Sequence, residues 1–516
     1  MSSSNQQTKT EISEGTLFNK NKSLYFVAIV FIFVLGLAIR FYDLSDAPLD
    51  FHPTRQLYSA LKSRGMYYEN LESVDEWKRE FAVKQWKIQG LIEPPIMERL
   101  TASFYRLAGG EHLWIPRVLS IAFWTIGGLF LLDLTRRMFD KNASVFAFLL
   151  FMITPYTAIA SRAFQPDPLM VMFFIIGLWG LVRWIEHESI LNAVFAGVFA
   201  GLAIFVKSVV IFPIAFSFVA VVIWKKRSLK LIFTNPSIWV MGILTVLPYL
   251  GYLFYGLVID GSLQSQFSLR FFPQLWKDPV FWLRWNEMIT AVVGFVFFLT
   301  SIIATVILKK SIHRVFLFSL FLGYFVYGLT LSYHISTHDY YQLPLVPIVL
   351  IGVSGVFSRL VSYLQEPKWF SNLIVIVVLL FYAAINAWDV RVTLKRANYD
   401  AEVTFWQNME QVFDKNDAII GITQDYGYRL NYWGWTGIEH WMGSSDFSLR
   451  ELAGQEFDME ELFEKEVEGM DYFLVTQLSE LDSQPAIKKI LFETYKIKEE
   501  TSDYIIFDLH EKLETN

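Results

Sequence analysis

Apolar runs of about 17 to 22 residues, separated by short polar breaks, fill the chain from residue 24 to residue 389. Crossing ~30 Å of hydrocarbon at ~1.5 Å per residue takes ~20 apolar residues, so each run reads as a membrane helix. The pattern predicts eleven spans, at about 24–41, 114–133, 143–160, 168–185, 190–206, 208–224, 237–258, 288–308, 315–333, 343–364 and 371–389. Beyond residue 390 the period changes. Short β-like runs ("AIIGITQ", "DYFLVTQ", "YIIFDL") alternate there with one amphipathic stretch, "DMEELFEKEVEG", the pattern of a small α/β domain. The expected fold class is therefore a polytopic α-helical membrane protein of about eleven spans with a C-terminal α/β domain. Its expected parts are an N-terminal tail (1–23), a membrane domain (24–390) and the C-terminal domain (391–516).

Composition agrees with the membrane class. Hydrophobic residues make up 54% of the 516 and charged residues 18%, below the roughly one quarter usual for soluble domains. The chain has no cysteine, which excludes disulfides, thiolate metal sites and cysteine nucleophiles. The first apolar run is too long for a signal-peptide core and no small-residue cleavage site follows it, so it is expected to be retained.

Charge sets the expected orientation. Lys and Arg gather in "TRRMFDKN", "KKRSLK" and "KKSIHR", which assigns those loops and the N-terminus to the cytoplasm. The alternate loops then lie outside: 42–113, "SRAFQPDP", the tight "VKSV" turn, 259–287, "SYHISTHDYYQ" and the C-terminal domain. The expected location is the plasma (inner) membrane. From residue 401 onward there are 25 Asp and Glu against 9 Lys and Arg, while the rest holds 25 acids and 35 bases. No nucleic-acid partner is expected.

Ionisable residues in a bilayer are costly and usually functional, and here they collect at the outer ends of the spans. After the first span, "LDFHPTRQLYSALKSRG" places Asp50, His52 and Arg55 around a helix start with a partly apolar face, as in an interfacial helix. The plain reading is that Asp50 caps this helix and Arg55 meets lipid headgroups. The chemical one is that a carboxylate here takes a proton from a hydroxyl while Arg55 meets a phosphate. A second amphipathic segment, "IQGLIEPPIMERLTASFYRLAG", breaks at a proline pair next to Glu93. In "SRAFQPDPLM" the prolines flank Asp167, which is either the cap of the next span or a second acidic group facing Asp50. Lys207 sits in a turn too short to be a solvated loop, on the side where lysine is not favoured. Apart from snorkelling, it wants an anion at headgroup depth, such as a lipid-linked phosphate. "ISTHDYYQLPLVP" adds His338, beside Asp339, and Tyr341, both able to hydrogen-bond a phosphate or sugar.

In this order the pieces resemble the polyprenyl-phosphate-sugar-dependent glycosyltransferases of the GT-C fold, with the protein O-mannosyltransferases and the aminoarabinose transferases of lipid A as the nearest groups. Those enzymes carry an acidic motif in the first outer loop, a "KPPL"-like segment later in it, "ARxxxxDPLL"-like residues before the fourth span and a "TKGP"-like lysine after the fifth. The segments here are "LDFHPTRQ", "EPPIMERL", "SRAFQPDPLM" and "FVKSVV", and the resemblance covers about residues 25–365. Two departures stand out. The usual acidic pair is absent, leaving the base open between Asp50 and His52, and the lysine before the prolines is Glu93.

The resemblance implies an inverting membrane glycosyltransferase. Its donor would be a sugar on a polyprenyl phosphate and its acceptor a hydroxyl of a glycan, lipid or protein at the outer face. Asp50 or His52 would be the base. Arg55, Lys207, Arg162, His338 and Tyr341 would hold the donor phosphate, with Asp167 and Glu93 as further acidic groups. No cofactor is required by this chemistry; a divalent cation, if used, would fall to Asp50 and Asp167. Rival readings are a lipid-linked glycan polymerase or ligase, a transporter or flippase, and a catalytically inactive scaffold. A transporter predicts polar residues lining a path through both leaflets and two pseudo-symmetric halves, and the sequence has neither.

Overall fold

A computed structural model describes residues 16–90, 93–259, 261, 263, 270–364 and 368–514. Most of the expected N-terminal tail and part of the 259–287 loop lie outside these residues. By contacts the chain forms two compact units. One comprises the described residues up to 44, 93–96 and 116–396, and the other 45–90, 97–115 and 397–514.

The first unit is helical. Eight of its helices are long and apolar enough to cross a membrane: Lys22–Phe41, Trp114–Met138, Asp167–Glu186, Ser208–Lys226, Pro236–Ile259, Ser311–Thr330, Leu345–Ser362 and the apolar part of Lys368–Gln411. This is a multi-pass membrane protein. The three remaining runs depart from plain spans for identifiable reasons. Lys141–Ile153 ends before Pro155, which starts a separate six-residue helix, because proline cannot donate the helical bond. Ile190–Val206 is a shorter apolar helix. The run read as 288–308 belongs to two helices, Pro279–Val293 and Phe295–Ile307, set at 95°. They meet at Gly294, whose φ of 79° a side chain would disfavour.

Small residues draw the central helices together. Gly177 and Gly180 of Asp167–Glu186 lie against Ala200 and Ala196 of Ile190–Val206. On the same helix Gly197 and Gly201 lie against Met241 and Leu244 of Pro236–Phe254. A Cβ on Gly201 would stand 2.2 Å from the Leu244 carbonyl oxygen, so only glycine permits that approach. Such stripes are how membrane helices associate where the solvent is as apolar as the side chains.

The second unit is an α/β assembly around a five-stranded sheet, β1 (Ile419–Ile422), β2 (Glu439–His440), β3 (Tyr472–Val475), β4 (Tyr495–Glu500) and β5 (Ile505–Lys512). The order is β2-β1-β3-β5-β4, with β1 parallel to β2 and β3, and β5 antiparallel to β3 and β4. Its core is aromatic and aliphatic, with Trp441, Phe463, Phe473, Ile487, Leu491 and Phe507 buried. The unit also includes Pro53–Tyr68, Glu76–Ile88 and Ile96–Ala108, all from the first long loop. The sequence shows only a partly apolar face on Pro53–Tyr68, yet Gln56–Tyr67 is buried all round. Partners take up its polar groups. Ser59 donates to Glu98 (2.8 Å), and Lys62 to the Gly90 carbonyl (3.0 Å). Arg64 pairs with Glu111 (3.0 Å) beneath the Tyr432 and Trp435 rings.

Candidate functional site

In the membrane unit the site grows from one hairpin of helices. Asp167–Glu186 and Ile190–Val206 are joined by a short turn and run side by side, so the start of one meets the end of the other. Asp167 opens the first and Lys207 follows the second. The Lys207 backbone is extended (φ −152°) before the chain re-enters a 3-10 turn at Ser208–Val210. Lys207 Nζ lies 2.8 and 3.0 Å from the two Asp167 carboxylate oxygens, and the two side chains are only 4% and 1% exposed. The Tyr340 and Tyr341 rings stand 4.8 and 5.0 Å from the same ammonium, within cation–π range. The fold thus supplies Lys207 with a protein anion. Both Asp167 oxygens face one ammonium, the geometry of a counter-ion. Among the described residues no three His, Asp or Glu side chains cluster as a metal site would require.

Around this pair histidines and tyrosines gather. His338 has its ring 5.8 Å from His334 and 5.9 Å from Tyr341, with Nδ1 2.8 Å from the Thr337 hydroxyl. His334 stacks on Tyr341 at 5.3 Å, and its Nδ1 is buried without a hydrogen-bond partner. Burial above all, and then His338, Arg270 and Lys207, push the His334 imidazole down to about 3. The sequence did not single out His334 or Arg270. The signal available was the spacing of "HISTH", two histidines one helical turn apart.

The sign of the pH effect follows. Folded His334 binds its proton only near pH 3 and the unfolded residue near 6.5, so stability falls as pH drops from about 6.5 toward 3. Thermal unfolding in detergent between pH 7 and 5 is therefore expected to be less acid-sensitive in His334→Asn than in the wild type. An identical acid slope in the two would contradict this.

Arg162 is buried and donates to the carbonyl oxygens of Tyr42 (2.7 Å) and Asp43. It braces the chain where it leaves Lys22–Phe41. Glu93 stands half-buried at the Pro94–Pro95 break.

The remaining expected residues fall in the second unit. Asp50 is half-buried and its Oδ1 accepts from Gln56 Nε2 at 3.3 Å. Gln56 is wholly buried and also donates to the Phe51 carbonyl (2.7 Å), which fixes the amide that orients the carboxylate. His52 precedes Pro53–Tyr68 in the left-handed region (φ 44°, ψ 67°), a conformation costing about 1–3 kcal/mol for a non-glycine residue and commonest at functional sites. Arg55 lies 5.7 Å over the Tyr58 ring, with Lys62 4.4 Å from it. Lys62 is a buried cation that the sequence did not single out.

Three comparisons bear on this geometry. The family described as dolichyl-phosphate-mannose-protein mannosyltransferase matches residues 92–253, the stretch holding Glu93, Arg162, Asp167 and Lys207. A search of the curated proteins returns no match. Among solved structures, ArnT from Cupriavidus metallidurans bound to undecaprenyl phosphate is similar with a TM-score of 0.60 at 14% identity, over 93% of this chain and 97% of that one. The archaeal oligosaccharyltransferase AglB from Archaeoglobus fulgidus, in complex with an inhibitory peptide and a dolichol-phosphate, is similar with a TM-score of 0.53 at 13% identity, over 89% of this chain and 70% of that one. The chain has the GT-C fold.

Proposed function

We propose that this GT-C-fold protein is a glycosyltransferase that moves a sugar from a polyprenyl-phosphate carrier to a hydroxyl acceptor at the outer face of the membrane. The observation that carries the reading is the buried Lys207–Asp167 pair ringed by His334, His338, Tyr340 and Tyr341. The ligands of the two similar structures, undecaprenyl phosphate and dolichol-phosphate, and the partial match to a mannosyltransferase family support it.

The chemistry runs as follows. The acceptor oxygen attacks the anomeric carbon from the side opposite the phosphate, which inverts that centre, and the bond from this carbon to the phosphate oxygen breaks. The acceptor proton passes to Asp50, whose carboxylate Gln56 holds in place; His52 is the alternative base. The lipid phosphate leaves with both electrons of the broken bond, and fixed cations placed beforehand lower the barrier to that charge. Lys207 carries most of this role in the proposal. Asp167 aims its ammonium, with Tyr341 packed against it, and His338, Arg270 and Arg55 are the further candidates for contacts to the phosphate. Arg162 holds the frame. A lipid donor accounts for the position of these residues at helix ends, because a carrier anchored in hydrocarbon presents its phosphate at headgroup depth.

Purified protein in detergent, given polyprenyl phosphates bearing different hexoses and pentoses together with envelope extracts as acceptor, is expected to release free polyprenyl phosphate from one donor class. Absence of release from every donor and extract would remove the reading.

A further inference from the structure

The α/β unit contains a cleft of about 730 Å³, well within the range of small-molecule sites, that the transfer mechanism above does not use. Every lining residue belongs to this one unit. One wall is the Glu76–Ile88 helix, with Phe81, Lys84 and Gln85, and the other is the run from Lys415 to His440. Two features mark it as built for a ligand. Gln85 is 3% exposed, yet its side-chain carbonyl has no hydrogen-bond partner. His440 is half-buried, with Nε2 3.7 Å from the nearest Asp446 oxygen, within ion-pair range, and neither ring nitrogen has a closer hydrogen-bond partner. Buried polar atoms of this kind normally find partners, and leaving one unmet costs about 1–3 kcal/mol.

The turn that carries the cleft's aromatic rings is strained. Asp425 (φ 53°) and Tyr426 (φ 59°) both lie in the left-handed region, where two successive non-glycine residues are rare. They are held there from several sides. Asp425 accepts from Thr54 Oγ1 (2.7 Å) and from Arg429 Nε (2.6 Å), and the Tyr426 hydroxyl donates to Asp446 (2.9 Å). The result is a Tyr426 ring 4.4 Å from that of His440 and 6.2 Å from that of Tyr428. Strain sustained in this way points to a function for the rings it positions.

The chemistry of the lining selects the ligand. Aromatic faces (Phe81, Tyr426, Tyr428) stand beside amides and an imidazole that both donate and accept. Lys84 and Lys415 are balanced by Asp417 and Glu439, so neither an anion nor a cation is preferred. Flat apolar C–H faces edged with hydroxyls fit such a lining, and carbohydrate has that surface. We propose that this cleft binds a neutral saccharide, the glycan portion of the acceptor. That the saccharide is an acceptor rests on the transferase reading; that the cleft binds sugar does not.

Saturation-transfer NMR on the full-length protein in nanodiscs, with a panel of neutral hexoses, pentoses, N-acetylhexosamines and their disaccharides, tests this. At least one saccharide is expected to receive saturation, and affinity is expected to fall about tenfold or more in Gln85→Met and in Tyr426→Ala. Tyr426→Phe, which keeps the ring, is expected to bind within about threefold of wild type. The Tyr426 ring is 40% exposed, so its truncation opens no core cavity and the variant remains folded. Transfer to no saccharide in the panel, or equal binding in the wild type, Gln85→Met and Tyr426→Ala, overturns the proposal. Saccharide binding lost in both variants, in a protein that releases polyprenyl phosphate from no donor, would sink the transferase reading and leave the sugar site standing. Donor turnover with no saccharide binding would do the reverse.

Discussion

Lys207→Met is expected to destabilise the protein by about 3–5 kcal/mol and to abolish measurable transfer, because it leaves the Asp167 carboxylate buried without its cation. Asp167→Leu is expected to lose a similar amount, since an ammonium stranded in the same place is no cheaper. The double variant separates structure from chemistry. With both charges replaced by apolar groups of similar volume, stability returns to near the wild-type value, because a buried ion pair often contributes little beyond such a replacement. Activity does not return, because the cation that meets the leaving phosphate is gone. Thermal unfolding in detergent reads the first quantity and polyprenyl phosphate release the second. A double variant that regained both would make the pair purely structural.

Asp50→Asn is expected to lower turnover by about 10²–10⁴-fold, the usual contribution of a positioned general base, with little change in stability. Asparagine keeps the hydrogen-bonding outline that Gln56 reads, so the loss would report proton transfer. His52→Asn is expected to lose less than about tenfold, since asparagine tolerates the left-handed conformation of residue 52. His52→Gly is expected to raise stability by about 1 kcal/mol through relief of that backbone. Initial rates on the preferred donor decide between the two residues, and the opposite ranking would transfer the base to His52.

Much of the fold was legible because apolar run length is a direct physical requirement of the bilayer. Each of the eleven apolar runs coincides with helix, while the 95° turn at Gly294 left no mark in hydrophobicity: both arms are apolar and only the glycine separates them. In the C-terminal region, β1, β3 and β5 and the Met459–Glu466 helix stand where alternation and amphipathicity place them. The two-residue β2 and the exposed β4 do not, since an edge strand with a wet face has little apolar pattern to read.

The site was legible as a set of residues and not as a set of partners. Asp167 and Lys207 are 40 residues apart, and each alone looks like a helix-end charge. Only the glycine- and alanine-lined approach of their helices turns them into a pair. Lys62, Arg64 and Glu111 were missed for a related reason. Lys62 and Arg64 lie on a helix that reads as interfacial, with only a partly apolar face, and the groups that satisfy them come from distant segments, such as Gly90, Glu111 and Tyr432. His334 and Arg270 owe their interest to what the fold buries and packs beside them, which sequence order does not display.

The proposed function centres on Lys207, a buried cation assigned to the phosphate of a lipid carrier. Native mass spectrometry with added undecaprenyl phosphate examines that directly, comparing the wild type with the stable Lys207→Met/Asp167→Leu double variant. The account predicts one tightly held lipid phosphate per wild-type chain and an affinity at least about tenfold weaker in the variant. Equal affinity in the two proteins would contradict it.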